Sequence, residues 1–297
     1  DEDELRRIKR ACEITDLAFK HVLTKICEGM TEAEIDCILQ GYMKAYPEVD
    51  GMAPRFIVAS GEHGALPHGI AGERRIQKGD LITMDFGCNC LGYWSDVTRT
   101  VCLGKANEKQ KEIYYITLEA QEAAIKAVKA GKTGKEIDTV ARNVIIAAGY
   151  GEYFGHGLGH SFGLEIHEVP RCSQNLACDI PLEPGMIMTI EPGIYIPGFG
   201  GVRIEDLVAV EKDGVRRLSE LPRELIELDF GGFVLDTPGF SSLEVDGIKA
   251  PDLWEYFPEF KTESCKFKGC SHINEPGCSV KEKLFTGKIA QSRYDSY

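Results

Sequence analysis

The chain has 297 residues, 43% of them hydrophobic, which is room for one large domain or two smaller ones with a proper core. A net charge of −13 argues against a general nucleic-acid or anionic-membrane surface. No 18-residue apolar run and no signal-peptide pattern point to a membrane or to secretion, and eleven scattered cysteines, an odd count, fit a reducing, cytoplasmic setting.

In chain order, the first pattern is a helix over 3–28. Leu5, Ile8, Cys12, Phe19, Val22, Leu23 and Ile26 share one face, and Gly29 is expected to stop it. The chain opens on Asp rather than Met, as expected of a processed, trimmed or fragmentary product. Thr31-Glu-Ala-Glu34 is a capping box that opens a second helix to about Tyr46. Strands are expected near 55–60, 81–88 and 93–103. The run Leu81 to Cys88 is almost wholly apolar, the pattern of a strand buried on both faces, yet it contains Asp85. Burying that carboxylate is costly unless something pairs with it. Gly92-Tyr93 supplies a turn, and the next β-rich segment carries Asp96 back beside Asp85. Taken alone, the two read as one satisfied structural aspartate and one turn aspartate. A long helix follows from about Glu108 to Ala130, and Gly131-Lys-Thr-Gly-Lys-Glu136 caps another to about Ala148.

Two stretches recur. Gly29-Met-Thr-Glu-Ala-Glu-Ile-Asp36 matches Gly131-Lys-Thr-Gly-Lys-Glu-Ile-Asp138 at Gly, Thr, Glu, Ile and Asp. The run Gly79 to Gly87, with Asp85, matches Gly185 to Gly193, with Glu191, in spacing and character. Same order and nearly the same offset indicate a duplicated helix–helix–strand–strand half. A pseudo-twofold axis would set Asp85 against Glu191 and Asp96 against Glu205. Four gathered carboxylates cannot all ionise unless cations hold them. Neutral imidazoles are at hand: His156, His160 and His167 fall within the run Gly155–Glu168, and His68 lies near an earlier loop.

Together these residues resemble the pita-bread metallopeptidases, the superfamily of aminopeptidase P, prolidase and methionine aminopeptidase, over about residues 1–222. The ligand types come in the order Asp, Asp, His, Glu, Glu, each in a matching local motif. The resemblance implies an α+β pita-bread fold with two pseudo-symmetric ααββ halves. It implies that Asp85 chelates one metal, Asp96 and Glu205 bridge two, and His160 and Glu191 hold the second. His160 is preferred to His156 because the family's ligand histidine lies seven residues before the catalytic one, here His167. By the same resemblance a metal-bridging hydroxide attacks the peptide, Glu191 also shuttles the proton, His68 and His167 stabilise the tetrahedral intermediate and position the scissile peptide, and His156 assists. An oxygen-rich donor set favours two Mn²⁺ or similar ions; Cys88 and Cys90 read as buried filler rather than ligands. Leu164-Glu-Ile-His-Glu168 and Glu191-Pro-Gly-Ile-Tyr-Ile-Pro-Gly198 resemble the Xaa-Pro branch, with methionine aminopeptidase as the alternative. The implied partners are a peptide substrate and, compatibly, a second copy in a homodimer. The first helix begins almost at residue 1, so the separate N-terminal domain of aminopeptidase P and prolidase is expected to be absent.

Three other motifs are set aside. Asp85-Phe-Gly lacks the Gly-rich and His-Arg-Asp loops of a kinase. Ala130-Gly-Lys-Thr133 has Lys126 where a phosphate loop needs glycine. Gly155-x-Gly-x-Gly159 lacks the third-glycine spacing of a dinucleotide fingerprint.

The last quarter differs. The stretch 229–236 is an apolar strand running into Asp236-Thr-Pro-Gly239, the form of a GTPase switch. Cys265, Cys270, His272 and Cys278 then offer three thiolates and an imidazole, the donor set of a closed structural zinc site. Residues from about 224 to 297 resemble the C-terminal zinc-binding end of the circularly permuted, ribosome small-subunit-dependent GTPase, including Phe257-Pro-Glu-Phe260. No Gly-x4-Gly-Lys-Ser/Thr loop and no Asn-Lys-x-Asp motif accompany Asp236, so GTPase activity is not expected. Seven basic against three acidic residues between Lys261 and Arg293 leave a residual affinity for ribosomal RNA open. The junction is expected within Glu224–Leu228, giving a catalytic domain at 1–222 and a switch remnant with a zinc subdomain at 223–297. The leading expectation is a dinuclear metalloexopeptidase of the Xaa-Pro type with one structural zinc. The alternative of another class is a ribosome- or RNA-associating zinc module.

Overall fold

The computed structural model describes residues 1–175, 179–228, 265–266, 270, 272 and 277–289. Helix α1 (Glu2–Leu23) starts at Asp1, whose side chain accepts from the amides of Asp3 and Glu4. It ends a turn before its apolar face predicts. Thr24 Oγ1 donates to the His21 carbonyl at 2.7 Å, closing a tight turn from which Ile26 still reaches the core. Gly29, at φ +87°, then reverses the chain. Helix α2 (Glu32–Lys44) carries both bonds of the expected Thr31–Glu34 capping box.

Strands β1 (Val49–Met52), β2 (Ile57–Ser60), β3 (Leu81–Phe86), β4 (Cys88–Cys90), β5 (Tyr93–Trp94) and β6 (Val97–Leu103) follow. Each strand expected at 81–88 and 93–103 is therefore two. Gly87 is the cause: a Cβ there would lie 1.9 Å from the Ser95 carbonyl oxygen, so the two chains touch backbone to backbone and the ladder breaks. The break leaves Asp96 outside the strands on either side of it. Helices α3 (Glu108–Ala127) and α4 (Gly134–Ala147) come next, then β7 (Gly159–Ser161), β8 (Glu168–Cys172), β9 (Ile187–Ile190), β10 (Gly193–Ile196), β11 (Gly200–Arg203), β12 (Asp206–Glu211), β13 (Gly214–Arg217) and β14 (Ile226–Leu228).

The duplication is visible bond by bond. Thr31 and Thr133 each cap a helix and bridge to a later segment, at Arg75 and Pro181. Gly29 N–H donates to the Ile76 carbonyl, and Gly131 N–H to that of Leu182. Asp36 accepts from the Phe56 amide at 3.2 Å, and Asp138 from the Leu158 amide at 3.0 Å. One half packs α1 and α2 on the sheet β14-β6-β3-β2; the other packs α3 and α4 on β13-β12-β9-β7-β8. The halves diverge where Glu32 faces Gly134 in the repeat. Glu32 is buried and accepts from the Ser60 amide and hydroxyl, both at 2.7 Å, and from the His63 ring. A Cβ on Gly134 would instead sit 2.1 Å from the Arg171 carbonyl oxygen.

The chain divides into two compact units, Asp1–Val234 and Leu235–Tyr297. Strand β14, from the segment expected at the junction, pairs in parallel with β6 and so belongs to the first unit. Asp236, Gly239 and Phe257–Phe260 lie outside the described residues, as do 290–297. In the second unit, helix α5 (Ser279–Phe285) follows Cys278. Among the described residues no helix is long and apolar enough to cross a membrane.

Candidate metal centre

Register places the acidic groups. Asp85 pairs with Thr98 across β3 and β6, and Ile190 pairs with Asp206 across β9 and β12. Glu191 and Glu205 therefore project just beyond the paired ends of their strands, while the Glu205 amide donates to the Thr98 carbonyl at 3.1 Å and joins the halves. One carboxylate oxygen each of Asp85, Asp96 and Glu205 lie within 4.8 Å of one another. His160 on β7 brings Nε2 to 3.5 Å from Glu191 Oε1 and 3.9 Å from Asp96 Oδ2. All five sequence-expected ligands thus meet at one place. Gly159 permits this, since a Cβ there would lie 2.1 Å from the Thr189 carbonyl oxygen. Thr189 Oγ1 accepts the His160 amide at 2.9 Å and donates to Glu191 at 3.1 Å.

The electrostatics are those of a cage built for cations. Burial first, then mutual repulsion with Glu205, Asp85 and Glu191, pushes Asp96 far above the carboxylate range. Burial, then Glu191 and Asp85, does the same to Glu205. Burial raises Glu191 to about 7, against the opposing pull of Arg203. Burial lowers His160 to about 4, so the ring is neutral. Its Nδ1–H donates to the Ser161 carbonyl at 3.1 Å, which turns the Nε2 lone pair toward the carboxylates. Thr98 Oγ1 donates to Glu205 Oε2 at 2.6 Å, but Glu205 Oε1 is buried without a partner. An orphaned carboxylate oxygen, a neutral imidazole lone pair and crowded acids fit hard divalent ions.

Two supporting residues escape the sequence patterns. Arg203 is buried and donates to Asp85 Oδ2 (2.6 Å), Thr98 Oγ1 (3.0 Å), the Pro67 carbonyl (2.9 Å) and Tyr195 Oη (2.8 Å). Its signal was available, because it stands two residues before Glu205 and alternate β-residues share a face. Tyr195 Oη lies 2.9 Å from His156 Nε2, whose ring partner Nδ1 lies 2.7 Å from the Gly157 carbonyl. Burial lowers His156 to about 4, so its Nδ1–H donates to Gly157 and its Nε2 accepts from Tyr195. Both nitrogens are engaged in holding the wall.

His68 and His167 are exposed on the lining of a cleft of about 480 Å³, which also includes Asp85, Asp96, Glu191, Glu205 and Arg171. The His167 ring centre is 4.4 Å from that of His160. A larger cavity of about 790 Å³ lies beside Leu5, Ile8 and Phe162, away from the carboxylates. Donor chemistry, not size, identifies the site. Cys88 and Cys90 are buried, with Cys88 Sγ against the Thr15 and Ser95 hydroxyls.

A second donor cluster occupies the other unit. Ligand atoms of Cys265, Cys270, His272 and Cys278 all lie within 4.8 Å of one another. His272 Nδ1 is 3.6 Å from Cys265 Sγ and 3.4 Å from Cys278 Sγ. His272 adopts φ +62°, a left-handed conformation that is uncommon for a residue with a side chain.

Comparison with known proteins bears on the first unit. The model of metallopeptidase family M24 matches residues 6–212. A Xaa-Pro dipeptidase of Pyrococcus horikoshii is 50% identical over 228 residues, 76% of this chain and 63% of that protein. Among solved structures, a Xaa-Pro dipeptidase from Bacillus anthracis superposes with TM-score 0.74 and 47% identity, covering 77% of this chain and 63% of that one. An X-Pro aminopeptidase from Thermotoga maritima gives TM-score 0.74 and 45% identity, over 76% and 64%. The chain spans less than two thirds of the length of each relative. The mixed α/β pita-bread fold is shared with these peptidases.

Proposed function

Since the chain belongs to metallopeptidase family M24, we propose that it hydrolyses short Xaa-Pro peptides as a dinuclear metalloexopeptidase. The observation that carries this is the convergence of Asp85, Asp96 and Glu205, with one Glu205 oxygen buried and unpartnered. Asp85 would be a ligand of one ion, His160 and Glu191 of the other, and Asp96 and Glu205 of both. The ions, Mn²⁺ or similar for so oxygen-rich a set, supply Lewis acidity and an activated water near neutral pH.

The chain's own groups do the rest. Thr98 and Arg203 hold Glu205 and Asp85 in place through bonds of 2.6 Å each. Glu191, shifted to about 7, is suited to take and return a proton. His68 and His167 face the cleft where the carbonyl oxygen and scissile nitrogen would sit, and His156 lines the same cleft, held by Tyr195. Arg171 offers positive charge to the free carboxylate of a dipeptide. Protein loaded with Mn²⁺ is expected to cleave Ala-Pro peptides, and Asp96→Ala to abolish this. Full activity in that variant, or activity without metal, would overturn the reading. Competition between Met-Ala-Ser and Ala-Pro separates it from a methionine aminopeptidase. A cytoplasmic homodimer acting on peptides is the accompanying proposal.

For the second unit the close approach of Cys265, Cys270, His272 and Cys278 supports one structural zinc. In this reading residues 1–222 together with β14 are the peptidase domain, and the remainder to 297 is a switch remnant and zinc subdomain derived from the small-subunit-dependent GTPase. No GTP hydrolysis is expected of it. A role in binding ribosomal RNA predicts cosedimentation with small ribosomal subunits that is lost in Cys270→Ala; no cosedimentation would dispose of that role.

A further inference from the structure

Directly behind the carboxylates lies a second layer, and it is charged. Thr98 and Glu205 face the site; their chain neighbours Arg99 and Asp206 point the opposite way, as β alternation requires. Both are essentially sealed from water, Arg99 at 1% and Asp206 at 0% exposure. A guanidinium has five N–H donors, and here five acceptors meet it. Nη2 donates to Asp206 Oδ1 at 2.6 Å and to the Leu221 carbonyl at 3.2 Å. Nε donates to the Pro222 carbonyl at 2.8 Å. Nη1 donates to the Thr98 carbonyl at 2.9 Å and the Glu205 carbonyl at 2.5 Å.

Those last two bonds matter most. A single nitrogen ties the backbone of one half, two residues after Asp96, to the backbone of the other half at Glu205. Asp96 and Glu205 are the two carboxylates that must reach both ions at once. Their separation follows how far apart β6 and β12 stand, and Nη1 reinforces the direct bond from the Glu205 amide to the Thr98 carbonyl that spans that distance. Asp206 in turn holds the guanidinium, with Gln121 Nε2 at 3.3 Å and Arg217 and Arg223 at 3.6 and 3.9 Å around its other oxygen. The strap that supplies the remaining acceptors is itself anchored: Asp16 accepts from Ser219 Oγ at 2.8 Å and the Glu220 amide at 2.7 Å, and Tyr114 donates to the Arg223 carbonyl at 2.8 Å.

We propose that the buried Arg99–Asp206 pair, clamped by the 219–223 strap, is the positioning device that sets the spacing of the two bridging carboxylates and so governs binding of the second metal ion. The proposal rests on the dinuclear reading above. A buried ion pair adds little net stability compared with an apolar replacement, so its value here is geometric. Carboxylates that share ions need placement to within about 0.5 Å.

The test is titration of full-length, metal-free protein with Mn²⁺ by calorimetry and by electron paramagnetic resonance, whose spin-coupled signal reports two adjacent ions. Arg99→Lys keeps a charge but cannot serve five acceptors. It is expected to weaken the second ion ~10–100-fold, in the range seen when groups supporting metal ligands are removed. The coupled signal should fade while the first ion still binds. kcat for Ala-Pro should fall with KM little changed. Asp206→Asn carries the same test should Arg99→Lys fail to fold. A lower Tm with both Mn²⁺ affinities and the coupled signal intact would overturn the proposal. Wild-type protein that binds no Mn²⁺ would instead overturn the dinuclear reading.

Discussion

The two donor clusters in this chain are built on opposite principles. The first gathers carboxylates and one imidazole from strands and strand ends of both halves, shields them partly or wholly from solvent, and opens on a cleft. The second gathers thiolates and one imidazole from a short stretch beside one small helix. Hard oxygen donors with room for solvent suit an ion that does chemistry; three sulfurs and an imidazole nitrogen within 4.8 Å of one another suit an ion that only staples. The difference teaches that spacing in sequence tracks role. A staple can be local, whereas a cage between two halves must be drawn from across the chain.

The comparison breaks first at Asp96. Asp96→Ala should lower Ala-Pro cleavage by more than the ~10²–10³ usual for losing one stabilising donor, and empty the Mn²⁺ site while leaving zinc content unchanged by elemental analysis. Loss of both metals together would merge what the chemistry separates. His167→Ala should cost about 10²–10³ in kcat with Mn²⁺ content intact, which distinguishes a group that touches substrate from one that holds metal.

A smaller effect is expected in the metal-free protein's pH dependence. Burial raises Glu191 to about 7 and also raises Asp96 and Glu205, so the stability these groups contribute when protonated is lost as pH climbs through their folded-state values. His156 and His160, lowered to about 4, act in the opposite sense, but only below the ordinary histidine range. The carboxylates therefore dominate from about pH 6.5 upward. Tm of metal-free protein should drop over that range by a few degrees, at roughly 2–4 °C per kcal/mol for a domain this size, and Mn²⁺ should flatten the curve. The smallest effect sharpens the contrast: Cys270→Ala should lose zinc yet change Ala-Pro hydrolysis by less than about twofold, because the thiol cluster belongs to the other compact unit.

Much of this was legible because local rules leave local marks. Capping boxes announced α2 and α4, and an aspartate in an apolar run announced Asp85. The repeat then led to Glu191 and Glu205 without any single motif being decisive. What stayed hidden depends on contacts between distant segments. Nothing near Thr24 signals that α1 stops there rather than at Gly29. Gly87 reads as an ordinary strand glycine until Ser95 is seen lying against it. Arg99 looks like a surface charge in an alternating strand; only the packed halves show that it is buried with five acceptors around it.

The strand register that joins the halves also couples assembly to metal. Asp85 and Asp96 come from one half, and His160, Glu191 and Glu205 from the other, so the complete cage exists in neither half alone. The full set of acids meets only where the halves pack, and its members repel one another. Docking is therefore the step that divalent ions favour. Ions at 100 times their dissociation constant would add about 2.7 kcal/mol to the assembled state. Supply of metal would thus set how often this chain is found whole.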